Sequence, residues 1–338
     1  MNDFLSMVRY HESEKIPVWF MRQAGRYMKS YNEIKKNLSI RDICMDPDIT
    51  ERITYSPVDL LGVDAAIIFA DIILPLEAMN YDIDFSNTGP VIYNGYQKNR
   101  DLKNIIEFDE KNLKYKTADA IKLFKERHKD VPLIGFSGGI ITVLSYVLSG
   151  SSDNNLTYTK SVILRDKKFR LYKELIKDMI IKYLKMQINA GVDAVQIFDS
   201  WLGSLSPYIF EKHLKSDIFD IINEIKSNIP IIYFATGNSG MIGEFNDINP
   251  DFLSVDWRIK INDARVMLKN TIGIQGNLDP YVVQYDENAA IEETNYILNS
   301  MKSHDNYIFN LGHGVLPDTQ ESTLKRIVSF VHDYKNKY

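Results

Sequence analysis

Residues 169–200 read FRLYKELIKDMIIKYLKMQINAGVDAVQIFDS, and they contain one complete structural unit. Apolar side chains recur at helical spacing over 169–189, and Gly191 is a typical helix end. The run AVQIF at 194–198 is apolar without alternation, which indicates a strand that is covered on both faces. A helix followed by such a strand is the repeating unit of a parallel α/β sheet.

Similar apolar runs recur along the rest of the chain. They are PVWFM (17–21), AAIIFA (65–70), VPLIGF (131–136), PIIYFA (230–235), FLSV (252–255), TIGI (271–274) and YIFNL (307–311). Helical patterns separate most of them, at 46–61, 208–225, 261–268, 287–301 and 317–334, and DIDFSNTGPVI (82–92) is typical of a hairpin. Eight strand–helix units favour an α/β fold of the (β/α)8 TIM-barrel type, with the active site at the carboxyl ends of the strands. An open doubly wound sheet is the alternative, because it also alternates strands and helices.

The composition is that of an ordinary soluble globular protein. The 338 residues are 45% hydrophobic and 25% charged, with a formal net charge of -5. An acidic chain is a poor general binder of nucleic acid, so any anion site must be local. Cys44 is the only cysteine, which excludes an internal disulfide and suits a reducing cytosol. We see no signal peptide in residues 1–15 and no apolar run long enough to span a membrane, so we expect a cytoplasmic protein.

Two arginines stand at the end of the first apolar run. Arg22 and Arg26 follow residues 17–21, with Gln23 and a glycine between them. The planar guanidinium group binds carboxylates and phosphates through two parallel hydrogen bonds, so the pair indicates a local anion site. A surface or intersubunit salt bridge is the other interpretation.

Asp71 and His313 are the other polar residues that stand out at the ends of apolar runs. Asp71 closes the run 65–70 and precedes further apolar residues, so its carboxylate is desolvated unless it meets a donor or a cation. It could instead cap the following turn. His313 lies between two glycines in NLGHG, where a packing role is small, although a solvated loop histidine would fit the same pattern.

The segment GFSGG at 135–139 supports a competing interpretation. It matches the G-x-S-x-G elbow of α/β hydrolases and lies between a strand run and a helical pattern. An aspartate, Asp199 or Asp256, and then His313 follow in hydrolase order, so a serine hydrolase with Ser137 as nucleophile is the alternative function. Against it, the sequence has no HGGG-like oxyanion segment, and the arginine pair would have no role.

The sequence offers little for a metal or nucleotide site. The six histidines show no H-E-x-x-H or H-x-H spacing, and a thiolate zinc site needs more than one cysteine. The glycines of 135–139 do not form a dinucleotide fingerprint, and there is no P-loop. We predict that the protein binds no metal.

Several segments together resemble the uroporphyrinogen decarboxylase family. They are FMRQAGRYM (20–28), FADI (69–72), LIGFSGG (133–139), TVLSY (142–146), QIFDSW (196–201), SVDW (254–257), QGNLDP (275–280) and NLGHGVLPDT (310–319). Their order and spacing match over nearly the whole chain, and the first and last are long and specific.

The resemblance implies a distorted (β/α)8 barrel that forms a single domain over 1–338, usually as a homodimer. It implies the decarboxylation of the four acetate groups of uroporphyrinogen III to give coproporphyrinogen III on the route to haem, without metal or cofactor. The implied catalytic residues are Asp71, Arg22, Tyr146 and His313. The implied substrate-binding residues are Arg22, Gln23, Ala24, Gly25, Arg26, Asp71, Tyr146, Phe198, Ser200 and His313.

The sequence departs from the family pattern in two places, and both concern the wall of the pocket. Ile140 and Ile141 stand where the family commonly has a Pro–Trp pair, and Asp199 stands where glutamate is frequent. The charged set is intact and suits the reaction, since arginines would hold the carboxylates of the substrate and Asp71 would stabilise a protonated, cationic pyrrole ring. The proton donor stays open between Arg22, His313 and a bound water. A tetrapyrrole carrier without catalysis and a zinc methyltransferase are further alternatives.

Overall fold

The computed structural model describes residues 2–86, 89–226, 229–302 and 306–334. The α-helices are α1 (Asp3–Tyr10), α2 (Lys29–Lys35), α3 (Ile40–Met45), α4 (Pro47–Leu61), α5 (Thr117–Arg127), α6 (Ile140–Ser149), α7 (Thr157–Arg165), α8 (Phe169–Ala190), α9 (Pro207–His213), α10 (Lys215–Lys226), α11 (Phe245–Ile248), α12 (Ile261–Met267), α13 (Pro280–Tyr285), α14 (Glu287–Met301) and α15 (Glu321–Asp333). The strands are β1 (Ala66–Ile67), β2 (Ile83–Ser86), β3 (Gly89–Ile92), β4 (Leu133–Gly138), β5 (Ala194–Asp199), β6 (Ile231–Ala235), β7 (Phe252–Ser254), β8 (Gly273–Leu278) and β9 (Tyr307–Leu311).

Seven of these strands form one parallel sheet in the order β1-β4-β5-β6-β7-β8-β9. A doubly wound sheet reverses its strand order at a switch point, whereas here each strand lies beside the next sheet strand along the chain. The alternative of an open doubly wound sheet is therefore wrong, and the α/β class is confirmed.

The sheet curls around a packed interior. The side-chain amide of Gln275 on β8 donates to Oε1 of Gln196 on β5 at 3.0 Å, although β6 and β7 lie between these strands. Neighbouring strands are about 4.8 Å apart, so a flat sheet would separate the two residues by roughly 14 Å. The indole of Trp19 also donates to Gln275, at 2.9 Å. The curvature brings the carboxyl ends of distant strands toward a common mouth.

The run 17–21 is not a strand of this sheet, which corrects the predicted closed barrel of eight strands. Val18 makes a single parallel bridge to Phe309 of β9, and its carbonyl accepts from the N–H of Asp64 at 2.8 Å. The N–H of Val18 donates to the side chain of Asp64 at 2.7 Å rather than to a neighbouring strand, so a regular ladder does not form. The run thus lies between the two edges of the sheet with few ladder bonds.

Helices that have a typical capping residue or a terminal glycine in the local sequence match their predicted ranges. Asp46 caps α4 by accepting from the backbone of Asp48 at 2.9 Å, and Gly191 ends α8 with a φ of 112°. The predicted helix 208–225 is two helices, α9 and α10, because the backbone leaves the helical region at Leu214, whose side chain is fully buried.

The predicted hairpin 82–92 is confirmed as β2 and β3, which pair antiparallel with Ile83 opposite Ile92. Its residues 87–88 lie outside the described residues, as does the end of the predicted domain, 335–338. Buried apolar side chains form one large core between the sheet and the surrounding helices. None of the described helices combines the length and the apolar content that crossing a bilayer requires.

Candidate active site

A tight turn presents Arg22 at the carboxyl end of the first run. The N–H of Gln23 donates to the carbonyl of Phe20 at 3.1 Å, and Arg22 inside this turn has a φ of 58°. The side chain of Gln23 is fully buried and donates to the carbonyl of Ala65 at 3.0 Å. Gln23 therefore lies beneath the loop and anchors it near β1, while the side chain of Arg22 is exposed above it.

The aliphatic part of Arg22 packs against Gly314, which follows β9. A Cβ atom at Gly314 would lie 2.5 Å from Cδ of Arg22, so a larger residue would displace the side chain. The N–H of Val315 donates to the carbonyl of Met21 at 2.8 Å and ties the two loops together. Neither Arg22 nor Arg26 forms an ion pair within the described ranges, so the alternative of a surface salt bridge finds no partner among these residues.

Asp71 lies a few residues after β1 and is half-buried. Its Oδ1 accepts from the N–H of Ile73 at 3.0 Å, which is the turn-capping bond that the sequence left open. Its other carboxylate oxygen has no hydrogen-bond partner in the part of the chain that the structure describes. Burial raises the pKa of Asp71, and the bond from Ile73 and the positive charge of Arg22 oppose this rise.

Tyr146 lies on α6, close to both of these charged groups. Burial, with a smaller contribution from the charge of Asp71, raises its pKa to about 12, and the charge of Arg22 opposes this rise. Its ring packs against Trp201, with 4.8 Å between the ring centroids. The phenol is therefore protonated at neutral pH and can donate a hydrogen bond.

His313 lies on the loop after β9 with its ring edge against Phe234, at a centroid distance of 5.8 Å. Burial, together with the charges of Arg22 and Arg258, lowers the pKa of His313 to about 4. The imidazole is therefore neutral at pH 7, because the pKa lies about three units below that pH.

Aromatic side chains form an apolar floor beside these groups. Phe198 on β5 packs edge-on against Phe136 on β4 at 5.5 Å and against Phe234 on β6 at 5.9 Å. Strand register places Phe198 opposite Phe234, so the rings form a row that continues to His313. Of the three phenylalanine rings only that of Phe198 is partly exposed, so it could contact the face of a large ring system while buried Phe136 and Phe234 support it.

The remaining predicted residues lie around this centre. Ser200 follows β5 and is half-buried, as are Ala24 and Gly25 in the loop after Arg22. Arg26 is exposed and lies toward Tyr31, whose burial-raised pKa its charge opposes. The structure thus brings Arg22, Asp71, Tyr146 and His313 together, and it places Arg26 on the Tyr31 side of the loop.

The arrangement of a serine hydrolase is not formed. Ser137 is only 1% exposed, and its hydroxyl donates to the carbonyl of Gly138 at 3.2 Å. Among the described side chains, no hydrogen bond joins Ser137 to His313 or to either candidate aspartate. The carboxylate of Asp256 accepts from the N–H of Gly237 at 2.7 Å and so stabilises the loop after β6.

Asp199, the other aspartate of that hypothesis, caps a helix. Its Oδ1 accepts from the N–H and the hydroxyl of Thr142 at 2.9 and 2.7 Å, and its Oδ2 accepts from the hydroxyl of Tyr233 at 2.7 Å. A Cβ atom at Gly139 would lie 2.3 Å from Asp199, so glycine at the start of α6 admits the carboxylate. Burial raises the pKa of Asp199, and these bonds oppose the rise.

Three further residues of this region were not predicted from the sequence. Trp201 packs on Tyr146, Gly314 supports Arg22, and Arg258 acts on His313. Trp201 and Gly314 stand inside motifs that were recognised, whereas Arg258 directly follows SVDW and could have been found as a third cation after an apolar run. No group of three or more possible metal ligands lies close together within the described ranges, and the absence of a metal stays a prediction.

Comparison with known proteins agrees with the motifs. The family model described as uroporphyrinogen decarboxylase (URO-D) matches residues 1–334. A uroporphyrinogen decarboxylase from Picrophilus torridus is 55% identical over 99% of both chains, and one from Thermoplasma acidophilum is 42% identical over 98% of this chain and 99% of its own. Among solved structures, a methyltransferase from Methanosarcina mazei has a TM-score of 0.79 over 97% of both chains at 18% identity, a likeness of fold alone. The chain belongs to the uroporphyrinogen decarboxylase family.

Proposed function

We propose that this enzyme converts the four acetate groups of uroporphyrinogen III to methyl groups, giving coproporphyrinogen III in haem biosynthesis, with Asp71 beside the reacting ring. Membership of the family supports the reaction. The single observation that supports the placement is that Asp71 lies close to Arg22 and Tyr146 at one mouth of the sheet, next to an aromatic floor.

Loss of carbon dioxide from an acetate group leaves an electron pair on the methylene carbon, and this pair must be delocalised. Protonation of a pyrrole ring carbon next to the acetate gives an iminium cation. The bond between the acetate carboxyl and its methylene then breaks, carbon dioxide leaves, and the electron pair moves into the ring. The methylene carbon takes up a proton, and the ring carbon loses the proton that it gained, so each acetate consumes one proton overall.

Asp71 would stabilise the cation and accept the pyrrole N–H groups. Its carboxylate is poorly solvated, since burial raises its pKa and Ile73 supplies its one described hydrogen bond. A positive ring beside the carboxylate offsets the free-energy cost of its poor solvation, so the attraction between the two grows as the cation forms. An interaction that is strongest in the transition state raises the rate.

Arg22 would hold a carboxylate of the substrate, with Tyr146 and Ser200 as hydrogen-bond donors to the same groups. His313 is neutral at pH 7 in the free protein, because its pKa is lowered to about 4, so it would orient a carboxylate there. Carboxylates of a bound substrate would raise this pKa, so Arg22, His313 and a bound water stay the candidate proton donors. Gln23, Ala24 and Gly25 would shape the loop that carries Arg22, Arg26 would bind an outer carboxylate, and Phe198 would support the ring.

Four finer inferences accompany this function. Residues 17–21 would close the gap between β1 and β9 as an irregular segment, which would make the curled sheet a distorted barrel, a view supported by the bridge from Val18 to Phe309. One domain would extend over 1–338, of which the family model covers 1–334. The protein would act as a homodimer, as the family resemblance implies, and size-exclusion chromatography would test the dimer. It would lie in the cytoplasm, which its single cysteine suits.

Anaerobic incubation with uroporphyrinogen III tests the function. We expect the stepwise loss of four molecules of carbon dioxide. Asp71→Asn should keep the fold and lower the rate by roughly 10²–10³, the usual effect of removing one electrostatic stabiliser. Asp84→Asn, which changes an exposed aspartate of the hairpin, is the matched control and should react at the wild-type rate. A wild-type rate for Asp71→Asn would remove Asp71 from the mechanism, and tight binding without carbon dioxide release would favour a carrier.

A further inference from the structure

The loop after β7 holds an arginine in a fixed position. Asp256 is buried, and its carboxylate accepts from the N–H of Gly237 at 2.7 Å and from the N–H of Arg258 at 3.1 Å. The side-chain amide of Asn277 on β8 donates to the carbonyls of Asp256 and Ile259 at 2.9 and 2.7 Å. The loop is therefore braced by β6, β7 and β8 together.

The guanidinium group of Arg258 is both oriented and accessible. It forms an ion pair with Asp256 through Nη1, and it lies over the ring of Trp257 with 4.1 Å to the ring centroid. Its side chain is nevertheless 51% exposed. Nε and Nη2 have no hydrogen-bond partner among the residues that the structure describes, so these donors face solvent.

The loop borders the candidate active site. A Cβ atom at Gly312 would lie 2.5 Å from the backbone nitrogen of Trp257, so residues 256–258 pack directly against the chain that leads into His313. Arg258 and Arg22 both act electrostatically on His313. Arg22 reaches the mouth from the run 17–21, whereas Arg258 reaches it from the end of β7.

We propose that Arg258 is a further substrate-binding residue, which holds an outer carboxylate of the tetrapyrrole beside the His313 loop that Arg22 also borders. The inference rests on the proposed function. A substrate with eight carboxylates has more anionic groups than Arg22 and Arg26 can bind, and a stacked guanidinium that is already oriented loses little freedom on binding. The ion pair with Asp256 uses Nη1, so Nε and Nη2 on the guanidinium group remain as donors for the ligand.

A purely structural role makes a different prediction. If Arg258 only neutralises the buried Asp256, its loss should lower stability and leave substrate affinity unchanged. If it binds an outer carboxylate, the contact exists in the ground state and the transition state alike, so its loss should raise KM and leave kcat nearly unchanged.

The test compares Arg258→Gln with Arg326→Gln in the intact protein. Arg326 is a matched control, since it is 49% exposed and also forms an ion pair, with Glu287 on α14. With uroporphyrinogen III under anaerobic conditions, we expect KM to rise about tenfold for Arg258→Gln, with kcat within about twofold of the wild type, the usual size for a lost hydrogen bond to a charged group. Arg326→Gln should match the wild type. Equal KM values for all three proteins would overturn the proposal.

Arg258→Lys covers the case in which the glutamine variant does not fold. Lysine keeps a positive charge beside Asp256 but lacks the planar fork and the stacking, so we expect KM at least about threefold above the wild type. A folded lysine variant with the wild-type KM would contradict the role of Arg258. If the wild type itself releases no carbon dioxide, the proposed function fails, which is distinguishable from a failure of Arg258 alone.

Discussion

The side chain of Arg22 depends on its own backbone conformation and on the lack of a side chain at Gly314. Its own φ of 58° lies in the left-handed region, which costs an L-residue about 1–2 kcal/mol, and its stem rests on the bare Cα of Gly314. Strain of this kind is typical of functional sites, where the surrounding structure holds a side chain in place. The loop thus sets the direction of the guanidinium group.

Gly314→Ala should move Arg22 without unfolding the protein. The new Cβ would lie 2.5 Å from Cδ of Arg22, and this part of a flexible side chain can shift. A displacement of about 1 Å at a binding group can cost up to about 10² in rate, so we expect kcat/KM to fall at least tenfold. Gly240→Ala is the control, because a Cβ there meets no atom within 4 Å. An unchanged kcat/KM in Gly314→Ala would show that the position of Arg22 is not critical.

Individual site residues were predictable where a motif carried them. Arg22, Asp71, Tyr146 and His313 were named from the sequence and lie together, although their roles stay predictions. The burial of Gln23 was not predictable, because it depends on a bond to the carbonyl of Ala65, which is distant in sequence.

Helix α6 shows how one element is positioned by another. It begins after Gly139, which has no side chain to cap it, and Asp199 from β5 supplies the missing acceptor to Thr142, the third residue of the helix. The carboxylate therefore fixes the helix that carries Tyr146. This cap was not predictable from local sequence, unlike that of α4, whose capping Asp46 directly precedes the helix.

Asp199→Ala should destabilise the protein much more than the loss of an ordinary cap. It leaves the N–H and hydroxyl of Thr142 and the hydroxyl of Tyr233 buried without their acceptor, so we expect the free energy of unfolding in urea to fall by about 3 kcal/mol. Asp279→Ala removes the local cap of α13 and should cost about 1 kcal/mol. Equal losses for the two variants would show that Asp199 is an ordinary cap.

Asp64 connects segments from the beginning and the end of the chain. Its Oδ2 accepts from the N–H of Val18 at 2.7 Å and lies 2.9 Å from Nε2 of His332 on α15. One carboxylate therefore links the first run, the approach to β1 and the last helix. The rhythm of apolar runs predicted the parallel sheet, but it could not predict that a side chain would replace main-chain pairing at Val18.

This link should make stability depend on pH. The hydrogen bond to Asp64 raises the pKa of His332, and burial opposes the rise. A raised pKa stabilises the folded state fully below the unfolded value of about 6.5, and this contribution is lost as pH rises through the folded pKa. We therefore expect the difference in the free energy of unfolding between the wild type and His332→Gln to be largest below pH 6.5 and to shrink above it. A difference that is constant with pH would show that the charge of His332 does not contribute.

The three tryptophans occupy two kinds of environment. Trp19 is fully buried inside the curled sheet, whereas Trp201 packs on Tyr146 and Trp257 lies beneath the guanidinium of Arg258. Intrinsic fluorescence consequently carries two signals in the unlabelled protein. A change in the emission of the outer indoles would follow the binding of substrate beside them, and the emission of Trp19 would follow the loosening of the interior.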